Sequence, residues 1–143
     1  FLRKMIKLWK LKVVWQKVSR LKKVSLAETK IMALNKLISQ YKIKALLTAI
    51  RKDENKARQS ETHFSKRVDH MRVHPLLDFT EQDIWDYLKR YNLPYNPLYD
   101  QGYRSLEEKT TTDKVLDFEK NERAGRDKKK EKVMESLRKL GYF

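Results

Sequence analysis

The fold of this protein is decided by residues 72–105, which read RVHPLLDFTEQDIWDYLKRYNLPYNPLYDQGYRS. Apolar residues surround Pro75, and because proline cannot donate to a sheet ladder, residues 73–77 are predicted to form a short or edge strand. Thr80 is a favourable helix N-cap, and the apolar repeat after it predicts a helix over residues 80–91. Residues 92–112 are rich in tyrosine and contain prolines and a glycine, so they are predicted to be a loop.

Outward from this stretch, the sequence alternates helices and strands. Capping-box spacing followed by an apolar helical repeat predicts a helix over residues 25–41. Residues 43–50, IKALLTAI, are mostly apolar and short enough to be a strand buried on both faces. A helix end within 1–10, a short strand over 11–15 and a last helix over 127–140 complete the prediction. A helix followed by a buried strand builds a parallel sheet, so the predicted fold class is α/β.

The net charge and the absence of cysteine limit the partners and the chemistry that this chain can have. The chain of 143 residues has 34 Lys and Arg against 19 Asp and Glu, a formal net charge of +15. Such a charge favours anions as partners: nucleotide phosphates, sulfate, nucleic acid or an acidic membrane surface. The chain has no cysteine, which excludes disulfides, thiolate metal sites, iron–sulfur ligation and a cysteine nucleophile from this chain.

The sequence lacks several features that would indicate other kinds of site or location. Three glycines leave no glycine-rich loop that could wrap a phosphate. No apolar run approaches the length of roughly 20 residues needed to cross a bilayer, and no signal-peptide stretch is visible, so a soluble, cytoplasmic protein is expected. The start at Phe1 predicts a fragment or a processed product. The basic amino-terminal segment is interpreted as a solvated face in preference to a nucleic-acid surface.

The first candidate site follows the predicted strand 43–50. Ligands of open α/β sheets bind beyond the carboxyl ends of strands, so Arg51, Lys52 and Arg58 are positioned to meet an anion. The alternative is an exposed charged helix with internal ion pairs, and spacing alone leaves both open.

The second candidate site lies in the loop. Arg104 offers a planar fork for phosphate or sulfate and has no obvious acidic partner on a helix, while the neighbouring side chains supply hydroxyls and a ring: Tyr103, Ser105, Thr110, Thr111 and Thr112. Threonine runs also occur in ordinary loops. His63, His70 and His74 lack metal-ligand spacing, so no metal site is predicted. His74 is interpreted as a strand-end residue facing the nucleotide cleft or as a buried structural histidine.

These segments, together with residues 72–85 and 93–100, resemble the phosphoadenosine phosphosulfate reductase family over residues 43–143. The resemblance implies an adenine-nucleotide α-hydrolase-like fold, with a Rossmann-like parallel sheet whose first strand leads into an SGGKDS-type phosphate loop. Neither that loop nor its strand is found in this chain. The resemblance divides the domain into an α/β part, 1–91, and a substrate loop with a carboxy-terminal helix, 92–143.

Two branches of the family differ in ways that matter here. Reductases end in a Glu-Cys-Gly-Leu-His tail, which this chain lacks. The sulfate adenylyltransferase small subunit is similar to this chain at RKDE (51–54), ERAGR (122–126) and the terminal GYF (141–143). That resemblance implies adenylyl transfer between ATP and sulfate, magnesium brought with ATP, and a GTPase-like large subunit as partner. The family commonly has glycine where Ala49 stands and where Glu107 and Glu108 follow residues 104–106. These departures count against an active nucleotide site, because Ala49 narrows it and the two carboxylates lie near a place meant for anions.

Alternatives remain open at this point. One is a reductase-related protein without the catalytic cysteine, another is a superfamily member that modifies nucleic acid, and a third is a degenerate copy with only a folding or subunit-contact role. Without its phosphate loop, the chain alone is expected to be inactive. Because an incomplete sheet leaves an open edge, the chain is expected to form a homodimer or to pair with further segments.

Overall fold

The computed structural model describes residues 1–18, 24–116 and 121–140. Five α-helices occur in these ranges, and we label them α1 (Leu2–Leu8), α2 (Leu26–Gln40), α3 (Glu81–Arg90), α4 (Lys128–Lys132) and α5 (Met134–Lys139). None of the helices in the described part is both long enough and apolar enough to span a bilayer.

The predictions for α2 and α3 are confirmed, and capping explains where both helices begin. Ser25 and Glu28 exchange side-chain and backbone hydrogen bonds at the start of α2, and Thr80 and Asp83 do the same at the start of α3. Each capping box satisfies two backbone N–H donors that the first helical turn would leave unpaired. Local sequence therefore suffices to place these two helices.

The predicted helix over 127–140 is interrupted at Val133, where φ is −106° and ψ is 13°. The break separates the lysine-rich α4 from α5. Met134 and Leu137 are buried, whereas Val133 and Leu140 remain about half exposed.

A three-stranded sheet forms the centre of the fold, with β1 (Ala45–Leu47), β2 (Phe64–Lys66) and β3 (Met71–Val73) in the order β1–β3–β2. β1 runs parallel to β3, with Ala45 opposite Met71, and β2 runs antiparallel to β3, with Phe64 opposite Val73. The fold is thus α/β as predicted, with a mixed sheet.

The strand predictions were wrong in detail. The strand expected over 43–50 is limited to β1, and it is not buried on both faces, since Leu47 is 69% exposed. The strand expected over 73–77 ends at Val73, because the chain turns at His74, whose carbonyl accepts a hydrogen bond from the Leu77 amide. Residues 11–15 form no strand, since no described strand pairs with them.

The hydrophobic core lies directly behind the carboxyl ends of β1 and β3. It consists of Ile50, Leu77, Met134 and Leu137, with Ala27 and Ala57 packed against it. Two of these residues follow the parallel strands and two come from α5, so the core attaches the carboxy-terminal helix to the end of the sheet where ligands of α/β folds bind.

Candidate anion-binding site

The segments that follow β1 and β3 remain paired beyond the sheet. The Thr48 amide donates to the Val73 carbonyl at 2.9 Å, and the Lys52 amide donates to the Leu77 carbonyl at 2.9 Å. Arg51 and His74 are therefore both held at the carboxyl edge of the parallel pair. This edge is where an open α/β sheet binds its ligand.

Arg51 and Arg58 belong to a buried ion cluster centred on Glu54. Arg51, Glu54, Arg58 and Arg123 are each at most 9% exposed, and the Glu54 carboxylate contacts all three arginines. Nη1 of Arg51 and Nη1 of Arg123 each lie 3.5 Å from Glu54 oxygens. Buried guanidinium groups need such partners, because an unpaired buried charge is costly.

The cluster joins the segment after β1 to the segment before α5. Arg51 also pairs with Glu122, and Arg123 pairs with Glu131 at 2.5 Å. Asn55 donates to the same Glu131 carboxylate at 2.9 Å. Lys52–Glu54 and Lys56–Arg58 form two short 3-10 helices in place of the exposed charged helix that spacing alone had left open as an alternative, and the ion pairs of this segment reach distant parts of the chain.

The pKa values of two carboxyl groups in this cluster are shifted in opposite directions. Burial raises the pKa of Glu122, and the Glu81 and Asp53 carboxylates add to the rise, while Arg51 opposes it. At Glu131, burial also acts to raise the pKa, but the hydrogen bond and charge of Arg123 outweigh it, so the pKa is lowered. Glu122 therefore accepts a proton more readily than Glu131.

Arg104 lies on the other side of the same edge and has an acidic partner. Its Nε is 3.3 Å from Oε1 of Glu81 and its Nη2 is 2.6 Å from Oε2, a bidentate pair. Glu81 is the first residue of α3, and its amide donates to Asp53 at 2.8 Å. The expectation that Arg104 has no acidic partner on a helix was wrong, because residues 23 apart meet only in the folded chain.

Arg51 and Arg104 line one small cleft of about 90 Å³. Its other walls come from the paired carboxylates and from α3 and the tyrosine-rich loop: Glu81, Glu122, Ile84, Trp85, Leu88, Tyr95 and Tyr99. Trp85 makes edge-to-face contacts with both tyrosines at centroid distances of 5.2–5.3 Å. We call this space the Arg51–Arg104 cleft. Its walls combine two guanidinium groups with a rigid aromatic surface.

The other predicted site residues lie elsewhere. Ser105 is buried and accepts a hydrogen bond from Nε of Arg126 at 2.7 Å, and Lys52 pairs at the surface with Asp78 at 2.7 Å. His74 is fully buried, and its Nδ1 lies 2.9 Å from the Thr62 carbonyl. Burial is the main cause that lowers the pKa of His74.

The threonine run closes its own loop. Oγ1 of Thr112 donates to the Glu108 carbonyl at 2.8 Å and accepts from the Glu107 amide at 3.1 Å. Thr111 is partly buried beside the same carbonyl, and Thr110 is exposed. The ring of Tyr103 faces the Lys114 ammonium group at 5.4 Å. The structure thus brings Arg51 and Arg104 together and joins Arg58 to Arg51 through Glu54. Neither Ser105 nor the threonine run lines the cleft.

Two members of the cluster were missed as site residues. Glu122 and Arg123 were noted only for their resemblance to one family branch, although their charge pattern supplies partners for Arg51 and Glu54. Gly125 in the same segment is required by packing, since a Cβ there would lie 2.8 Å from a Val115 methyl group and closer still to the Asp113 carbonyl. Within the described ranges, no three His, Asp or Glu side chains are grouped to hold a metal ion.

Residues 3–114 match the phosphoadenosine phosphosulfate reductase domain. The chain belongs to this family. The match begins at residue 3, whereas the resemblance described from the sequence begins at residue 43. It includes Arg51, Arg104 and all three strands of the sheet.

Relatives of this domain agree with the assignment. The chain is 29% identical over 83 residues to the phosphoadenosine 5'-phosphosulfate reductase of Xylella fastidiosa (strain M12), which is 58% of this chain and 35% of that protein. It is 30% identical over 83 residues to the enzyme of the same name from Xanthomonas campestris pv. campestris (strain B100), which is 58% of this chain and 34% of that protein. The aligned part is thus about a third of the length of these curated relatives.

A solved structure shares the fold. The crystal structure of Candida glabrata FMN adenylyltransferase in complex with FAD and inorganic pyrophosphate superimposes with a TM-score of 0.66 and 23% sequence identity. The similarity covers 81% of this chain and 40% of that chain. At this identity the likeness establishes the fold of the domain and not its activity.

Proposed function

We propose that this domain serves a protein that transfers an adenylyl group from ATP to sulfate, with adenylyl sulfate and pyrophosphate as products. In this reaction a sulfate oxygen forms a bond to the α-phosphorus of ATP, and the bond from that phosphorus to the bridging oxygen breaks as pyrophosphate leaves. The observation that supports the proposal is the Arg51–Arg104 cleft, in which two guanidinium groups face one space at the carboxyl edge of the parallel strands.

The size of the cleft indicates which part of the substrates it takes. Its volume of about 90 Å³ is well below the roughly 300–1,000 Å³ of sites that enclose a drug-sized ligand. The cleft therefore suits one oxyanion, either sulfate or a phosphate of the nucleotide, while base and ribose lie outside it. Guanidinium groups bind tetrahedral oxyanions through two parallel hydrogen bonds.

Glu81 and Glu122 regulate access to the two arginines. Each carboxylate pairs with one arginine in the ligand-free chain, so an entering anion replaces a carboxylate as partner. The pKa of Glu122 is already raised by burial, and a second negative charge nearby would raise it further. Protonation of Glu122 on binding would release Arg51 to the anion without leaving a buried charge unpaired.

The chemistry required of these residues is positioning and charge stabilisation. A thiol-based reduction cannot be carried out by this chain, since it has no cysteine. The described acidic residues form no metal-binding group, and none of the roles given above depends on magnesium. The shared fold with an enzyme named for adenylyl transfer is compatible with the proposal by analogy only.

Arg104→Ala tests the proposal. Loss of one charge-assisted hydrogen-bond partner should weaken binding of ATP or adenylyl sulfate by about 1.5–3 kcal/mol, roughly ten- to a hundredfold, when binding is measured well below the melting temperature of the variant. The measurement is calorimetric titration of the complete protein with each nucleotide, together with sulfate-dependent exchange of pyrophosphate into ATP.

Arg90→Ala is the matched control, because Arg90 lies on α3 but does not line the Arg51–Arg104 cleft, and its guanidinium group is 5.7 Å from the ring of the exposed Tyr91. We expect its nucleotide affinity to equal that of the unmodified protein. Unchanged affinity of the Arg104 variant for both nucleotides would remove Arg104 from the site, and pyrophosphate exchange that does not depend on sulfate would overturn the proposed reaction.

A further inference from the structure

A second basic region lies at the opposite end of the sheet from the Arg51–Arg104 cleft. β2 and β3 form a hairpin whose turn spans residues 67–70 and is closed by a hydrogen bond of 2.9 Å from the Arg67 amide to the His70 carbonyl. This turn precedes β3, whereas the Arg51–Arg104 cleft follows it. The proposed adenylyl-transfer site therefore does not include the turn.

A cleft of about 750 Å³ opens between this turn, α2 and the end of α5. Its polar walls are formed by Asn35, Lys66, Arg67, His70, Arg72 and Lys139. Asp69 is the one acidic residue among the lining residues, against four lysines and arginines. We call this space the hairpin cleft. None of its lining residues is a phenylalanine, tyrosine or tryptophan, so it lacks the large aromatic rings on which bases most often stack.

His70 is held in this cleft in a defined orientation. Its side chain is 5% exposed, and Nδ1 lies 2.7 Å from Oδ1 of Asp69. The hydrogen bond to His70 is the main cause that lowers the pKa of Asp69. The ionised carboxylate therefore accepts a hydrogen bond from Nδ1–H of the ring. The other ring nitrogen, Nε2, is buried and has no hydrogen-bond partner in the described part of the chain.

Positive charge surrounds His70 in the hairpin cleft. Arg72 is 1% exposed, and burial together with the charge of Arg67 lowers its pKa. The nearby Glu61 pairs with Arg138 at 2.6 Å and with Arg67 at 3.6 Å. Because Nε2 of His70 is buried without a hydrogen-bond partner among the described residues, and because four lysines and arginines line the cleft, an oxyanion is the group that would complete this site most simply.

We propose that the hairpin cleft binds a phosphate group, either as free inorganic phosphate or as part of a larger phosphorylated molecule. A hydrogen bond joins Nε2 of His70 to a phosphate oxygen, while Asp69 holds the ring from behind through Nδ1. Lys66 and Lys139 bring ammonium groups to the rim, and the buried guanidinium of Arg72 supplies positive charge at the floor. The site recognises the phosphate and makes no contact with a base.

The test uses the 143-residue chain, with inorganic phosphate and a single-stranded oligonucleotide as separate probes, at constant ionic strength in chloride. We expect His70→Gln and Lys66→Gln each to weaken phosphate binding about tenfold or more in calorimetric titrations. His63→Gln and Lys89→Gln change the same residue types outside the cleft and should stay within about twofold of the unmodified chain.

A second readout follows the ring directly. Added phosphate should shift the imidazole resonances of His70 and leave those of His63 in place. Binding of both probes through the cleft supports a general phosphate site, and cleft-dependent binding of the oligonucleotide alone identifies a polynucleotide as the source of the phosphate. Equal weakening in cleft and control variants, absence of a His70 shift, or loss of binding in Arg104→Ala instead would overturn the proposal. The last result would still leave the proposed adenylyl transfer intact.

Discussion

Replacement of Glu54 by glutamine should reveal how much stability the buried ion cluster provides. Glu54 is 9% exposed and its carboxylate contacts Arg51, Arg58 and Arg123. After the substitution, Arg51 keeps Glu122 and Arg123 keeps Glu131, but the centre of the cluster loses its negative charge.

The magnitude follows from the cost of removing one partner of a buried ion pair, about 3–5 kcal/mol. Glutamine retains one oxygen that accepts a hydrogen bond, so we expect the lower end, about 3 kcal/mol. With a urea slope of about 2 kcal/mol per molar, the midpoint of unfolding should fall by about 1.5 M. The assay is equilibrium urea unfolding followed by far-ultraviolet circular dichroism.

Glu135→Gln is the matched control, because it removes an exposed glutamate that lies 3.6 Å from Arg138 and whose side chain is 55% exposed. Exposed pairs contribute about 0–1 kcal/mol, so this midpoint should fall by at most about 0.5 M. Equal shifts in the two variants would refute the view that the cluster holds residues 51–58 against the carboxy-terminal segment.

Two further predictions concern α3 and the buried histidine. Thr80→Ala removes the side-chain cap of α3 and should lower the free energy of unfolding by about 1 kcal/mol, measured in the same urea assay; an unchanged midpoint would show that the cap is dispensable. The pKa of His74 is lowered from 6.5, chiefly by burial, so the unfolded chain takes up this proton first and stability should fall as pH drops below about 6.5. His74→Gln should therefore reduce the loss of stability between about pH 7.5 and about pH 5.5, whereas the exposed control His63→Gln should reduce it less, and equal pH dependence in both variants would contradict the assignment.

Local signals in the sequence predicted the parts of the fold that depend on near neighbours. The capping pairs Ser25 with Glu28 and Thr80 with Asp83 are three residues apart, and they located α2 and α3 to within a residue. The motif-bearing stretch 72–105 indicated the family, which the match over residues 3–114 confirms. The α/β class followed from the same alternation of elements.

The strands could not be located in the same way. Each has three residues, too few to show a period of two, and their ends are set by partners: β1 pairs with β3 across about 26 positions. The predicted strand over 11–15 shows the converse, since β-branched residues alone form no strand without a neighbour to pair with.

The amino-acid composition limits the chemistry of the site, because the chain has an excess of arginine and lysine, no thiol and no glycine-rich loop. Which arginines line the same cleft became known only from the folded chain. Arg51 meets Glu122 across 71 positions, and Arg104 meets Glu81 across 23. Such pairings depend on the sheet and core that bring distant segments together, so no local pattern around either arginine could predict its partner.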